Sequence, residues 1–114
     1  MVFQTDQPPG VLAYTTEPTR NTTVSVANSN TEICEKRNST NPRKVVVIRN
    51  TSTNANEVIT INLGNDQAVA NSGIVLKQNE SFADSSETGY ECFQGQITGI
   101  CAVAGPGQLS IFER

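Results

Sequence analysis

The sequence predicts an all-β protein: an antiparallel β-sandwich of seven or eight short strands, in a jelly-roll or Ig-like topology. Several stretches alternate apolar and polar residues with a period of two, which is typical of strands with one buried face. Clusters of Asn, Ser, Thr, Gly and Pro separate these stretches, and such clusters favour turns. No long stretch shows the 3.6-residue period of an amphipathic helix. A length of 114 residues fits one domain.

Residues 1–22 differ from the rest and are predicted to form an extended N-terminal arm, with the sandwich in residues 23–114. Pro8, Pro9 and Pro18 disfavour regular structure in this segment. One interpretation is a loosely attached strand or tail. The other is an arm whose apolar side chains dock on a neighbouring subunit, and the residues predicted to make that contact are Phe3, Val11, Leu12 and Tyr14.

The clearest strand is residues 44–49, which is β-branched and apolar on both faces and therefore predicted to lie centrally in its sheet. Residues 57–63 alternate and place Ile59 and Ile61 on one face. Further strands are predicted at residues 22–27, 33–34, 68–69, 73–77, 96–104 and 108–113. The side chains predicted to be buried are Val46, Ile48, Ile59, Ile61, Val75, Ile100 and Ile111.

Net charge argues against a nucleic-acid partner, and the length of the apolar stretches argues against a membrane partner. The net charge of −3 does not suit nucleic-acid binding, which needs a basic surface. The basic residues between positions 36 and 44 are interpreted as a solvated loop that flanks a strand. No apolar stretch approaches the roughly 20 residues that cross a bilayer, so no membrane partner is expected. The N-terminus lacks the order of a signal peptide, and a cytoplasmic site of synthesis and assembly is expected.

The residue types argue against catalysis. The chain has no histidine, so Ser-His and Cys-His nucleophile pairs are absent, as are His-containing zinc sites. Acidic residues at positions 80–91 lie in a Ser-rich segment that is interpreted as a solvated loop. Cys34, Cys92 and Cys101 form an odd set that is expected to stay reduced, with a bridge between Cys92 and Cys101 left open. No cofactor and no metal is expected.

The order of the strand motifs carries a resemblance to a known class. The motifs are a strand ending in Arg-Asn-Thr-Ser at 45–52, a strand closing on Leu-Gly at 59–64, a Gly-led strand followed by Asn-Glu-Ser at 73–81, and a hairpin at 95–102 and 109–113. In this order they resemble small all-β accessory proteins of tailed phages and related viruses, such as head decoration proteins and head fibres. The resemblance covers about residues 44–114 and implies a module without catalytic residues. It also implies attachment through residues 1–22, which fall outside the resemblance.

The expected function is therefore that of a non-enzymatic virion structural protein, in capsid decoration, capsid stabilisation, or a head fibre or vertex. It would act through contacts with the major capsid protein or other virion proteins, and between subunits of a homo-oligomer such as a trimer or pentamer. The expected location is the virion, assembled in the host cytoplasm. The alternative is a receptor- or carbohydrate-binding β-sandwich module that reads its target through loops at residues 28–43, 50–56 and 84–91. An enzyme is a third alternative, which the missing histidine argues against.

Overall fold

A computed structural model describes residues 19–64, 66–86 and 90–114 of the chain. Its described part contains eight strands and no helix, which confirms the predicted all-β class. Accordingly, none of the described residues belongs to a helix that could cross a membrane. The strands are β1 (Arg20–Val26), β2 (Thr31–Cys34), β3 (Val45–Asn50), β4 (Ile59–Leu63), β5 (Ile74–Leu76), β6 (Ser81–Ser85), β7 (Ile97–Cys101) and β8 (Gly107–Glu113).

The strands form two four-stranded sheets in which all paired neighbours are antiparallel. Sheet A has the order β1-β8-β3-β6, and sheet B has the order β2-β7-β4-β5. The strand predicted to lie centrally, β3, lies between β8 and β6, as its β-branched sequence predicts. Side chains from both sheets form one apolar core, which includes Ile48 and Ile111 from sheet A and Ile61 and Ile97 from sheet B.

The core confirms five of the seven side chains predicted to be buried: Val46, Ile48, Ile59, Ile61 and Ile111. The prediction was wrong for two others, because Val75 is 38% exposed and Ile100 is half-buried. Both pair with Thr60 in sheet B. Since Ile59 and Ile61 point into the core, the residue between them and its cross-strand partners point outward.

Residues 66–72 cover part of the outer face of sheet B. The backbone N–H of Asn71 donates to Thr60 Oγ1 at 2.9 Å, and Asn62 Nδ2 donates to the carbonyl of Asp66 at 2.8 Å. The segment rejoins the sheet through Gly73, whose φ of 142° and whose position against the Ile61 carbonyl exclude a side chain. Thr60 is consequently buried although it points away from the core.

Two segments that the sequence assigns to polar loops contribute instead to the sheets. Asn50 ends β3 with its side chain fully buried; its Nδ2 donates to the carbonyls of Glu57 and Leu76, both at 2.9 Å. Asp84 lies in β6, where its carboxylate accepts from the Phe93 N–H at 3.0 Å. Polar side chains occupy these positions because each one satisfies backbone groups that the strand ends leave unpaired.

The start of β1 bears on the predicted N-terminal arm. Residues 20–22 belong to β1 and pair with β8, so the described sandwich begins at Arg20. The four predicted contact residues lie in residues 1–18, outside the described residues: Phe3, Val11, Leu12 and Tyr14.

Candidate functional site

A buried ion pair lies at the end of the sandwich where β8 ends. Arg43 has no exposed surface, and its Nε donates to Glu113 Oε2 at 2.7 Å. The same guanidinium donates from Nη1 to the carbonyls of Phe93 and Gly95, at 2.5 and 3.1 Å, and from Nη2 to the carbonyl of Glu35 at 2.8 Å. One side chain therefore ties β8 to the segments that follow β2 and precede β7.

Local structure explains why these two charges face inward. Residues 107, 109, 111 and 113 of β8 share the core face, so alternation carries the Glu113 side chain inward after Leu109 and Ile111. Arg43 precedes β3, where the Gln94 side chain holds its backbone from both sides. Gln94 Oε1 accepts from the Arg43 N–H at 2.6 Å, and Gln94 Nε2 donates to the Arg43 carbonyl at 2.7 Å.

Two further guanidinium groups share the same carboxylate. Arg20 Nη1 donates to Glu113 Oε1 at 3.1 Å, and Arg37 Nε lies 3.4 Å from Oε2. Burial by itself would raise the pKa of Glu113. The hydrogen bond and the charge of Arg43, with the charge of Arg37 and the hydrogen bond from Arg20, outweigh burial and hold that pKa below its usual range. Glu113 is therefore ionised at neutral pH and serves as the common counter-ion of three arginines.

A cleft of about 480 Å³ opens directly above this cluster. Its lining residues are Thr19, Arg20, Glu32, Ile33, Glu35, Lys36, Arg37, Asn38, Asn41 and Glu113. Half of them come from the connection between β2 and β3. The Asn38 side chain orders the rim of that connection, since its Oδ1 accepts from the backbone N–H groups of Thr40 and Asn41 at 3.1 and 3.0 Å. The cleft presents charged and amide groups on a fixed wall.

The second notable surface is the outer face of sheet A, here called the sheet A face. Its central row runs across all four strands through Asn21, Phe112, Val47 and Ala83. Val45, Val47 and Phe112 are half-buried and apolar, and most of the surrounding outward side chains are Ser, Thr, Asn or Gln. Arg49 is the one charged residue among the outward positions of these four strands, all of which are described. Apart from Arg49, the outward side chains of the sheet A face are therefore uncharged.

The three cysteines are buried and unpaired, including Cys92 and Cys101. Burial, followed by the nearby charge of Asp84, raises the pKa of the Cys92 thiol to about 11. Burial and the charge of Glu113 likewise raise the pKa of Cys34, against the opposing hydrogen bond from Arg20. The thiols of Cys34 and Cys92 are therefore protonated at neutral pH, which is typical of cysteines that pack in a core.

The depressed pKa of Glu113 predicts a specific loss of stability in acid. A carboxyl whose pKa is lowered by folding stabilises the protein above its unfolded-state pKa, about 4.3, and loses that contribution as the pH falls through the lower folded-state pKa. We expect Glu113→Gln to be less stable than the unmodified chain at pH 7, and the difference to shrink below about pH 4. Urea unfolding at pH 7, 5, 4 and 3 measures it. A difference that stays constant down to pH 3 would contradict the role of this carboxylate.

Sequence reasoning missed the arginine cluster. It placed Arg37 and Arg43 in a solvated loop, whereas Arg43 is fully buried. The inward position of Glu113 was available from the alternation of β8, and an inward acid at a strand end requires a cation. No signal in the sequence indicated which of the eight Lys and Arg residues would supply it.

Metal binding was assessed for the residues that the structure describes. Among these residues, no three Cys, Asp or Glu side chains come together in an arrangement that could hold a metal ion. The two surfaces with distinct properties are the cleft and the sheet A face.

Comparison with known proteins gives no relative. No family model, curated protein or solved structure matches this chain.

Proposed function

We propose that the chain is a non-enzymatic structural protein of a virus particle, a sandwich of jelly-roll or Ig-like type that assembles through the sheet A face. The observation that carries the proposal is the scarcity of charge on that face. Charged residues are depleted at the centres of protein interfaces, and apolar strips rimmed by polar groups mark interaction sites. The opposite sheet differs, because residues 66–72 cover part of its outer surface.

The extent of the face bears on the kind of contact. Four strands about 4.8 Å apart and five residues long give on the order of 300 Å² on each copy. A stable interface buries about 800 Å² on each partner. Further contacts are therefore needed, and the N-terminal segment with Phe3, Val11, Leu12 and Tyr14 is the proposed source. In this proposal, copies of the chain form a homo-oligomer that attaches to the major capsid protein or other virion proteins.

A charge inserted into the sheet A face tests the proposal. Ala83 is exposed in the row of Val47 and Phe112, so Ala83→Glu should weaken self-association at least tenfold and leave the fold unchanged. Val75→Glu is the matched control, because Val75 is exposed on the other sheet. Sedimentation velocity measures self-association, and co-sedimentation with capsids of the parent virus measures attachment. A monomeric unmodified chain that leaves capsids unbound would overturn the proposal.

A second function is favoured by the cleft, whose volume of about 480 Å³ falls within the range of small-ligand sites. Seven of its lining residues lie within residues 28–43, the first of the three loops expected to read a target in a receptor- or carbohydrate-binding module. Its charged and amide groups suit a polar ligand. Binding to host cells or to glycan arrays, abolished by substitutions in the cleft, would favour this function over assembly.

A further inference from the structure

Strand β1 forms one edge of sheet A and is the longest of the described edge strands. It pairs with β8 over all seven of its residues, Arg20–Val26, and with no other described strand. The register of this pairing is continuous. The far side of an edge strand presents unpaired backbone N–H and C=O groups, to which another strand can add.

The hydrogen bonds of β8 show which groups of β1 point to that edge. The backbone of Gln108 faces β3, since its carbonyl accepts from the Thr51 N–H at 3.0 Å. Direction alternates along an antiparallel strand, so the odd-numbered residues of β8 face β1. Those residues pair with the even-numbered residues of β1. The odd-numbered residues of β1 therefore point their N–H and C=O groups to the free edge; they are Asn21, Thr23 and Ser25.

The other three edges of the described sheets carry features that discourage strand addition. β5 has only three residues, and β2 has an irregular register between Glu32 and Cys34. β6 carries the charge of Asp84, whose carboxylate also accepts from the Phe93 N–H. β1 has no such feature, since residues 21–26 contain no charge, no proline and no bulge. The edge of β1 is therefore the one best suited to pair with another strand.

The sequence of β1 is self-complementary about Thr23. In an antiparallel pair of β1 strands with Thr23 opposite the same residue of the second copy, Asn21 lies opposite Ser25. All three edge-facing residues then meet each other, and each pair can exchange two hydrogen bonds. Arg20 lies opposite Val26, so no like charges are opposed. These features favour a second copy of the chain as the partner strand.

We propose that β1 of one copy pairs antiparallel with β1 of a second copy, centred on Thr23, so that the two sheets A join into one sheet of eight strands. The contact is two-fold symmetric, because the same strand serves both copies. It goes beyond the proposed assembly, since it uses the edge of sheet A and not its outer face. It would also make the two sheet A faces continuous, with a joint area of about 600 Å².

A proline at the centre of the edge tests the pairing. The Thr23 N–H points away from β8, so Thr23→Pro removes an edge donor and keeps the ladder to β8; proline is tolerated in edge strands for this reason. We expect self-association to weaken at least tenfold in sedimentation velocity, with a β-type circular dichroism spectrum retained. Ala83→Pro is the matched control. The Glu80 carbonyl accepts from the Asn50 N–H of β3, so alternation points the Ala83 N–H to the opposite edge of sheet A.

Cysteine cross-linking tests the register and does not depend on the proline variant. Thr23→Cys brings two thiols opposite each other with Cα atoms about 5.5 Å apart, within the range of a disulfide. Asn21→Cys is the matched control on the same exposed edge, because residues 21 of the two copies lie roughly 14 Å apart along the strands. The three native cysteines are buried. Mild oxidation should give at least tenfold more covalent dimer from Thr23→Cys than from Asn21→Cys.

The outcomes separate this contact from the proposed assembly. If Thr23→Pro associates like the unmodified chain while Ala83→Glu does not, the edge pairing is overturned and assembly through the sheet A face stands. The reverse result supports the edge pairing and overturns self-association through the face. Equal cross-linking of the two cysteine variants overturns the pairing, whether or not Thr23→Pro folds. A monomeric unmodified chain that binds capsids also overturns the pairing, while attachment to the particle stands.

Discussion

Arg43→Met is expected to lower the free energy of unfolding by about 3–5 kcal/mol, because removing one partner of a buried ion pair leaves the other charge poorly compensated. The variant also removes donors from three carbonyls, those of Glu35, Phe93 and Gly95. Each unpaired buried polar group costs roughly 1–3 kcal/mol where water cannot reach it. Met fills a similar volume, so the loss reports on charge and hydrogen bonds rather than on a cavity.

The control is Arg49→Met, which removes an exposed guanidinium from the sheet A face. Substitutions at such positions usually change stability by less than about 0.5 kcal/mol. Urea unfolding of both variants at pH 7 gives the comparison. The double variant Arg43→Met with Glu113→Gln should lose less than the sum of the single losses, since the two side chains are in direct contact. Equal effects at positions 43 and 49 would show that the buried pair contributes little.

The position of Arg43 shows where sequence reasoning reached its limit. Four basic residues between positions 36 and 44, separated by Asn, Ser, Thr and Pro, have the composition of a solvated loop. Burial of one of them depends on a carboxylate 70 positions away and on carbonyls 50 and 52 positions away. Such long-range pairing leaves no periodic trace in the sequence. Local composition therefore predicted a solvated loop, the usual structure of such a segment, and missed the burial of Arg43.

The elements predicted from periodicity fared differently. The strands at positions 44–49, 57–63 and 108–113 recur as β3, β4 and β8 with shifts of one or two residues at their ends. The period of two is a local property, and it survives folding wherever one face is buried. Asn50 was not predicted to belong to β3, because a buried Asn at a strand end cannot be distinguished in sequence from the first residue of a loop.

The two candidate sites also differ in how far they could be predicted from the sequence. The cleft was anticipated only as part of a loop region at residues 28–43, while its cations and its acid at Glu113 come from three separate parts of the chain. The sheet A face follows from alternation once the core face is known, since Val45 and Val47 must point away from Val46 and Ile48. Its lack of charge is visible only when four strands are aligned side by side.

The second large expected effect concerns the side chains of sheet B that point into the core. Ile61→Ala should lower the free energy of unfolding by about 2–5 kcal/mol, because it removes a fully buried side chain and leaves a cavity between the two sheets. Val75→Ala should cost far less. Its side chain is 38% exposed on the outer face, so little apolar surface returns to water.

The comparison of these two variants tests the register of β4 against β5. Ile61 pairs with Ile74, and Thr60 pairs with Val75. A slip of one residue would exchange the two faces and bring Val75 into the core. Chemical unfolding of both variants therefore decides between registers: a large loss at Ile61 with a small one at Val75 supports the pairing described here. Comparable losses of unfolding free energy at both positions would indicate that Val75 lies in the core. The run of apolar residues around Val75 suggests that position when alternation is ignored.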